Sequence, residues 1–207
     1  MNKIDQSIYE NLELRPLDLQ GWNGNSEVFR KLIEEVEPKN IIEVGSWKGQ
    51  SSINMANIIK SLSLNTKITC VDTWLGAQEF WGFLNNEERN LSLKNGYPTV
   101  YYQFLSNVVH TNNQEIILPF PATSRIAFYH FQANRISADM IYIDASHDYE
   151  DVRDDIYSYY NLLNNGGVIF GDDFHAWPGV NRAVQEFVQQ NSLNLEIFEN
   201  NFWIIRK

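Results

Sequence analysis

The sequence contains little cysteine and few basic residues. Cys70 is the only cysteine, which excludes an intramolecular disulfide and a thiolate metal cluster and favours a reducing compartment. The 16 basic residues are outnumbered by 26 acidic ones, for a formal net charge of −10. A broad electrostatic contact with nucleic acid is therefore not expected, and a small-molecule partner is favoured.

Long apolar runs are also absent. No stretch of roughly 18 apolar residues predicts a membrane span, and the first residues lack the apolar core of a signal peptide. We therefore expect a soluble cytoplasmic protein with no membrane association. The sequence does not define the oligomeric state, and a homo-oligomer is compatible with it.

No repeat, low-complexity tract or linker divides the 207 residues, of which 43% are hydrophobic. We therefore expect a single domain over residues 1–207. Within it, residues 1–39 are predicted to form an N-terminal arm and a helix. Residues 73–98 are too long for a plain connection, and they are predicted to form an insertion or lid.

Short apolar runs that alternate with helical patterns predict an α/β fold. Only three residues, 199–201, separate the last two runs, so these strands must pair as an antiparallel hairpin. The expected fold is a doubly wound, mostly parallel, seven-stranded Rossmann-like sheet with a C-terminal antiparallel hairpin. The predicted strands cover residues 41–44, 67–71, 115–118, 139–143, 168–171, 195–198 and 202–205.

Proline and glycine are expected to set two boundaries in this pattern. Pro119 and Pro121 should stop the third strand. Gly166 and Gly167 should close the long helix that precedes the fifth strand.

A glycine-containing turn follows the first strand. Gly45 and Gly49 would let the backbone approach a ligand, and Ser51 lies where a helix begins with unpaired N–H groups that favour an anion. An ordinary strand-to-helix turn is the alternative reading. The next strand, however, ends at Asp72, 27 positions after Gly45, near the spacing at which such folds place a carboxylate on ribose hydroxyls. The two features together favour a nucleotide-like ligand.

Carboxylates follow several of the predicted strands. Asp72, Asp144 and the pair Asp172 and Asp173 should meet at the carboxyl edge of the sheet, with His147 close behind Asp144. Crowded carboxylates repel one another, and a hard divalent cation would relieve that repulsion. The alternatives are that the aspartates cap turns or helices and that His147 is structural.

Four segments of the chain resemble the class I S-adenosylmethionine-dependent methyltransferases. Among these, the chain is similar to the metal-dependent O-methyltransferases of the catechol and macrolide-sugar types. The resemblance covers about residues 40 to 206, and it also accounts for the terminal hairpin. The four segments are EVGSWKGQS (43–51), VDTWLG (71–76), IDASHDY (143–149) and GGVIFGDDF (166–174).

The resemblance implies a cofactor, S-adenosylmethionine, and a place for each of its parts. Glu43, Gly45 and Ser51 would surround the methionine end, Asp72 would hold the ribose hydroxyls, and Ser124 would lie near the adenine. Trp47 stands where a middle glycine is common in the wider class, a departure that the resembled subgroup often shows. The remaining residues assigned to the cofactor site are Ser46, Trp47, Gly49, Thr73 and Asp144.

The resemblance also implies a metal and an acceptor. Asp144, Asp172 and Asp173 would bind Mg²⁺ or another divalent cation. His147 or Asp144 would be the catalytic base. The acceptor would be a hydroxyl of a small molecule or a saccharide, with residues 73–98 on the acceptor side.

Two other functions are weighed against this one. An NAD(P)-dependent oxidoreductase or epimerase also uses a glycine turn and a ribose carboxylate. The turn here lacks G-x-G-x-x-G, and no tyrosine is followed by a lysine four residues later. A non-catalytic, methyltransferase-like binding domain is the second alternative, and it stays open at the level of sequence.

Overall fold

The computed structural model describes residues 6–82, 89–199 and 201–207. Its strands are β1 (Asn40–Val44), β2 (Lys67–Asp72), β3 (Ile117–Pro121), β4 (Ala138–Ile143), β5 (Leu163–Gly171), β6 (Leu195–Phe198) and β7 (Phe202–Arg206). Its α-helices are α1 (Glu27–Val36), α2 (Gln50–Ser61), α3 (Gln78–Gly82), α4 (Val100–His110), α5 (Ser124–Ala133), α6 (Tyr149–Tyr160) and α7 (Pro178–Asn191). None of the helices within the described residues is long and apolar enough to cross a membrane.

The seven strands form one sheet in the order β3-β2-β1-β4-β5-β7-β6. The first five strands are parallel, and β7 runs antiparallel to both β5 and β6. The predicted mostly parallel sheet with its C-terminal hairpin is therefore confirmed. The strand order reverses between β1 and β4, so a crevice opens at the carboxyl ends of these two strands.

The sheet is buried on both faces, which explains why its strands are nearly continuous apolar runs. Side chains alternate across β1, where Ile41 packs into the core on one face and Ile42 into the core on the other. Helices α1, α2 and α4 cover the first face, and α5, α6 and α7 cover the second. The hydroxyl of Ser26 caps α1 by accepting the N–H of Val28 at 3.2 Å.

The first proline of the third strand does not end it, and the strand ends at the second. Strand β3 runs from Ile117 to Pro121 and includes Pro119, which is paired in register with Cys70 of β2. Proline is tolerated here because β3 is the edge strand of the sheet, so no further strand requires its missing N–H. The expectation that Pro119 would stop the strand was wrong.

The glycine pair before the fifth strand also has a different role. Helix α6 ends at Tyr160, and Gly166 and Gly167 lie inside β5, beside a shift in the register between β4 and β5. Gly166 has φ +79° and donates its N–H to the carbonyl of Lys207 at 2.9 Å. These glycines therefore shape a strand irregularity and do not close a helix.

The N-terminal arm crosses the sheet edge and α4 before it reaches the crevice. Tyr9 donates its hydroxyl proton to the carbonyl of Ile117 at 3.0 Å. The buried side chain of Asn107 donates to the carbonyls of Asp18 and Lys48, at 2.5 and 2.8 Å, and so ties the arm to the glycine turn. Parts of the predicted arm and insertion, residues 1–5 and 83–88, lie outside the described residues.

Candidate functional site

A cavity of about 1410 Å³ opens at the carboxyl edge of the sheet. The arm contributes residues 21–23, the glycine turn contributes residues 44–47, and α3 contributes Glu79 and Phe80. The ends of β2, β4 and β5 and one side of α6 complete the wall. The cavity therefore lies where open α/β sheets bind their ligands.

Gly45 lets the ends of β1 and β4 come together. Its φ is +90°, and a Cβ atom added to it would lie 2.0 Å from the carbonyl oxygen of Asp144. Gly49, with φ +88°, caps the N-terminus of α2 in the left-handed conformation. No other residue fits Gly45 without displacing the loop that carries Asp144.

Glu43 lies beneath the glycine turn. It is fully buried, and its carboxylate accepts the hydroxyl protons of Ser46 at 2.7 Å, Ser51 at 2.5 Å and Ser52. Burial raises the pKa of Glu43, and the three hydroxyls oppose this effect. Of the predicted cofactor residues, Glu43 and Gly49 do not line the cavity. Glu43 and Gly49 therefore support the turn and do not face the cavity.

Asp72 reaches across from β2 to the backbone of the turn. One carboxylate oxygen accepts the N–H groups of Ser46 and Trp47, both at 2.9 Å, and the other accepts the N–H of Trp74 at 2.7 Å. Asp72 also lines the cavity, so the remaining lone pair of its carboxylate can face a ligand. The predicted proximity of Asp72 to the glycine turn is thus a direct hydrogen-bonded contact.

The other predicted cofactor residues lie around the same cavity. Ser124 is the first residue of α5, directly after the capping hydroxyl of Thr123. It therefore presents an N-terminal helix turn to the cavity. The lining residues that the sequence predicted are Gly45, Ser46, Trp47, Ser51, Asp72, Thr73, Ser124, Asp144, His147, Asp172 and Asp173.

Three side chains converge on one point of the wall. Asp144, His147 and Asp173 each offer one atom that could bind a metal, and these atoms all lie within 4.8 Å of one another. Tyr142 holds Asp144 by donating its hydroxyl proton at 2.9 Å. We call these three residues the acidic cluster.

Asp172 is not one of the residues of the acidic cluster. Its carboxylate accepts the side-chain amides of Asn23, at 2.9 Å, and of Asn201, and it also accepts the N–H of Asp173 at 2.7 Å. Asp172 is only 4% exposed. Of the three aspartates predicted to bind a metal, the structure therefore brings together Asp144 and Asp173, joined by His147, while Asp172 is held by the two asparagines.

The acidic cluster has the electrostatics of a site with excess negative charge. Burial is the largest cause that raises the pKa of Asp144, to about 8, and the charges of Asp172 and Asp173 add to it. Burial also raises the pKa of Asp172, although Asn23 opposes this by hydrogen bonding. A cation placed among these carboxylates would stabilise their ionised forms.

His147 is held from three sides. Its Nε2 lies 2.9 Å from Asp173 Oδ2, and its ring stacks on Trp177 with centroids 4.5 Å apart. Its Nδ1 lies 3.2 Å from Glu79 Oε1, an ion-pair contact without hydrogen-bond geometry. Burial by itself would lower the pKa of His147, but the hydrogen bond to Asp173 and the surrounding carboxylates raise it. The imidazole is therefore a good proton acceptor.

Sequence reasoning did not single out four residues that surround this site. Asn23 and Glu79 come from the arm and from the insertion, Arg89 follows the insertion helix, and Trp177 precedes α7. Only Trp177, five residues after Asp172, lies close in sequence to a predicted ligand. The other three are brought to the site by tertiary contacts alone.

The carboxyl group of Asp155, on the α6 side of the cavity, is expected to make the stability of the protein depend on pH. Asp155 is 7% exposed, and burial raises its pKa to about 7, with a hydrogen bond from Ser124 opposing and the charges of Asp151 and Asp154 adding to the rise. Because this acid holds its proton more tightly in the folded state, its contribution to stability is lost as pH rises from about 4 to 7.

The variant Asp155→Asn lacks this titration and keeps an oxygen that can accept the Ser124 hydroxyl. Relative to the unsubstituted protein, its free energy of unfolding should rise by on the order of 2 kcal/mol between about pH 4.5 and pH 8. Urea unfolding at the two pH values measures the difference. A difference that does not change with pH would show that Asp155 is ionised in both states.

The strand order, the glycine turn after β1 and the carboxylate that ends β2 define the class I methyltransferase fold. A family model described as a methyltransferase domain matches residues 42–174. The chain belongs to this family and is an S-adenosylmethionine-dependent methyltransferase. No curated protein matches the sequence significantly.

Solved structures with the same fold have low sequence identity to the chain. The O-methyltransferase from Bacillus cereus in complex with SAH is 14% identical, with a TM-score of 0.60, over 97% of this chain and 88% of that one. The O-methyltransferase NovP is 18% identical, with a TM-score of 0.62, over 87% and 78%. CalS11, a TDP-rhamnose 3'-O-methyltransferase, is 16% identical, with a TM-score of 0.59, over 86% and 77%.

Proposed function

We propose that this protein transfers a methyl group from S-adenosylmethionine to a hydroxyl of a small molecule or saccharide, with the help of a divalent cation such as Mg²⁺. The observation that carries this proposal is the position of the acidic cluster. Asp144, His147 and Asp173 face the same cavity as the glycine turn and Asp72. This arrangement supports a metal site beside the site of the cofactor.

The residues around the turn fit the cofactor. The absence of a Cβ at Gly45 brings β1 and β4 together, Asp72 can accept ribose hydroxyls, and the N-terminus of α5 at Ser124 suits the adenine end. Ser46, Trp47, Ser51 and Thr73 complete the lining, while Glu43 and Gly49 support the turn from behind. The SAH in the Bacillus cereus enzyme is consistent with this assignment.

The donor set fits a hard cation. Asp144 and Asp173 supply converging carboxylate oxygens, and burial, followed by the charges of Asp172 and Asp173, raises the pKa of Asp144. Oδ2 of Asp172 accepts only the amide of Asn23, so its second lone pair could supply the third ligand after a small side-chain rotation, while Oδ1 keeps Asn201 and the Asp173 N–H as partners. A bound cation would orient the acceptor oxygens and lower the pKa of the acceptor hydroxyl.

The chain's own residues position the acceptor and take its proton. The imidazole of His147 or the carboxylate of Asp144 receives the hydroxyl proton as the acceptor oxygen forms a bond to the methyl carbon. The bond between that carbon and the sulfonium sulfur breaks, and S-adenosylhomocysteine leaves. This displacement requires an in-line geometry, which a walled cavity provides by fixing both reactants.

Turnover with labelled S-adenosylmethionine tests the proposal. The protein should transfer the label to vicinal-diol acceptors, such as a catechol or a nucleotide-linked 6-deoxysugar, in the presence of MgCl₂. Tight binding of S-adenosylhomocysteine without transfer to any diol would favour a non-catalytic binding domain. Transfer at full rate in EDTA would show that the protein is a methyltransferase that does not need a metal.

Replacing Asp72 tests the cofactor site. Asp72→Ala should weaken the binding of S-adenosylmethionine by about 10- to 100-fold, because a charge-assisted hydrogen bond is worth roughly 1.5–3 kcal/mol. It should also lower the melting temperature, since three backbone N–H groups lose their acceptor. Calorimetry and thermal unfolding measure the two effects.

Asp139 offers a matched control at the opposite edge of the sheet. Its carboxylate accepts the backbone N–H groups of Lys39 and Asn40, at 2.8 and 3.1 Å, and it does not line the cavity. Asp139→Ala should therefore lower stability and leave cofactor affinity unchanged. Equal losses of affinity in both variants would show that Asp72 acts only through stability.

A further inference from the structure

Arg89 lies in an aromatic corner of the cavity, which we define as Trp22, Trp47 and Phe80. Its guanidinium carbon is 5.6 Å from the ring centroid of Trp22 and 5.9 Å from that of Phe80. The rings of Trp47 and Phe80 meet edge to face, with centroids 4.6 Å apart. The arm and the insertion thus each place a ring against the guanidinium, and the ring of Trp47 in the glycine turn packs against Phe80.

Among the described residues, the guanidinium has no carboxylate partner of the kind that such a group usually has. No described side chain forms an ion pair or hydrogen bond with Arg89, and its buried Nε has no hydrogen-bond partner among the described residues. A guanidinium offers five N–H donors in a planar fork that matches carboxylate and phosphate oxygens. Aromatic faces stabilise its charge but satisfy none of those donors.

The charge of the cavity makes Arg89 distinctive. Nine acidic residues but only two arginines, Arg89 and Arg125, are among the described residues that line it. Arg125 is on α5, next to Ser124 on the proposed adenine side. An anionic ligand group would be repelled along most of the wall. Of the two described arginines that line the cavity, Arg89 is the one in the insertion, and its guanidinium could receive the anionic group.

Helix α3 connects the aromatic corner to the acidic cluster. Glu79 contacts His147, whereas the next residue, Phe80, packs against Trp47 and Trp22. An acceptor whose hydroxyl lies at the acidic cluster would therefore extend along α3 toward Arg89. The corner is separate from the cavity wall at Ser124, where the adenine end is proposed to lie.

We propose that Arg89 is a specificity-determining residue that binds an anionic group, a carboxylate or a phosphate, on the methyl acceptor. The proposal rests on the proposed function of the site as a methyltransferase. The acceptor then combines a hydroxyl held at the acidic cluster with a negative charge held in the aromatic corner. Neutral diols would bind the same cavity more weakly.

Paired probes test this with the full-length protein saturated with S-adenosylhomocysteine. The carboxylate pair is 3,4-dihydroxybenzoate and 3,4-dihydroxybenzamide, and the phosphate pair is thymidine diphosphate and thymidine. Calorimetry gives the Kd of each probe for the unsubstituted protein, Arg89→Gln, Arg89→Lys and Arg125→Gln. The last variant removes the same charge from the other cavity arginine.

At least one anionic probe should bind about tenfold more tightly than its neutral partner, as expected for a charge-assisted pair. Arg89→Gln should abolish this preference, Arg89→Lys should retain part of it, and Arg125→Gln should retain it fully. The pair that shows the preference identifies the anion as carboxylate or phosphate.

Three results would overturn the proposal. These are equal binding of charged and neutral probes to the unsubstituted protein, a preference that survives in Arg89→Gln, and a loss of S-adenosylhomocysteine affinity in Arg89→Gln. The last would assign Arg89 to the carboxylate of the cofactor. An Arg89-dependent preference without methyl transfer to any diol would leave the anion subsite standing and reject the proposed function instead.

Discussion

Replacing Asp173 with asparagine is expected to lower kcat by about 10²- to 10⁴-fold, the range over which a positioned proton acceptor or metal contributes. Asp173 belongs to the converging cluster and holds His147 Nε2 at 2.9 Å. The amide keeps one oxygen but loses the charge that attracts a hard cation. EDTA should abolish the activity of the unsubstituted protein, and added MgCl₂ should restore it. Steady-state methyl transfer at saturating cofactor measures both effects.

Asp172 and His147 distinguish two ligand sets for the cation. If Asp172 rotates to bind the metal, Asp172→Asn should weaken Mg²⁺ binding in calorimetry and His147→Ala should not. His147→Ala should then lower kcat while metal and cofactor stay bound, because the imidazole takes the acceptor proton. The reverse pattern of metal affinities would make His147 the third ligand and leave Asp144 as the base.

The metal assignment has a clear contrary outcome. Full turnover of the unsubstituted protein in EDTA, with unchanged activity in Asp173→Asn, would reduce the acidic cluster to a group of turn contacts. The hydrogen bond from the Asp173 N–H to Asp172 and that from the Trp177 N–H to the Asp173 carbonyl, at 2.7 and 3.1 Å, would then be the main role of this segment.

Gly45→Ala is expected to be the most destabilising single substitution at the site. The added Cβ would lie 2.0 Å from the carbonyl oxygen of Asp144, and alanine would also be strained at φ +90°. The contact is between backbone segments of β1 and β4, so no flexible side chain can move to relieve it. We expect a loss of about 3–5 kcal/mol in the free energy of unfolding, together with the loss of cofactor binding.

Gly166→Ala measures the cost of backbone strain at positive φ without the steric clash that an added Cβ has at Gly45. Gly166 has φ +79°, and an added Cβ there would meet no atom within 4 Å. Its loss of stability should be about 1–2 kcal/mol, which is the cost of the left-handed conformation alone. Urea unfolding of the two variants compares them directly. Equal losses would mean that the ends of β1 and β4 can separate without cost.

The sequence by itself determined the succession of strands and helices along the chain. It also determined which residues lie at the rim of the sheet. Apolar periodicity is a local property, and the ends of parallel strands must share one edge, so Asp72, Asp144 and Asp173 could be placed there from their positions alone. The short link between β6 and β7 likewise required an antiparallel hairpin.

Only the tertiary structure decided what each rim residue contacts. Pro119 can lie within a strand because β3 is at the sheet edge, and strand order is not written in a local pattern. Asp172 is directed to Asn23, 149 positions away, and His147 meets Glu79 from the insertion. Such partners are set by how separate segments pack over the crevice. The direction of a side chain at a strand end depends on those partners, and this is why the residues at the rim could be predicted from the sequence while the partners of Asp172 could not.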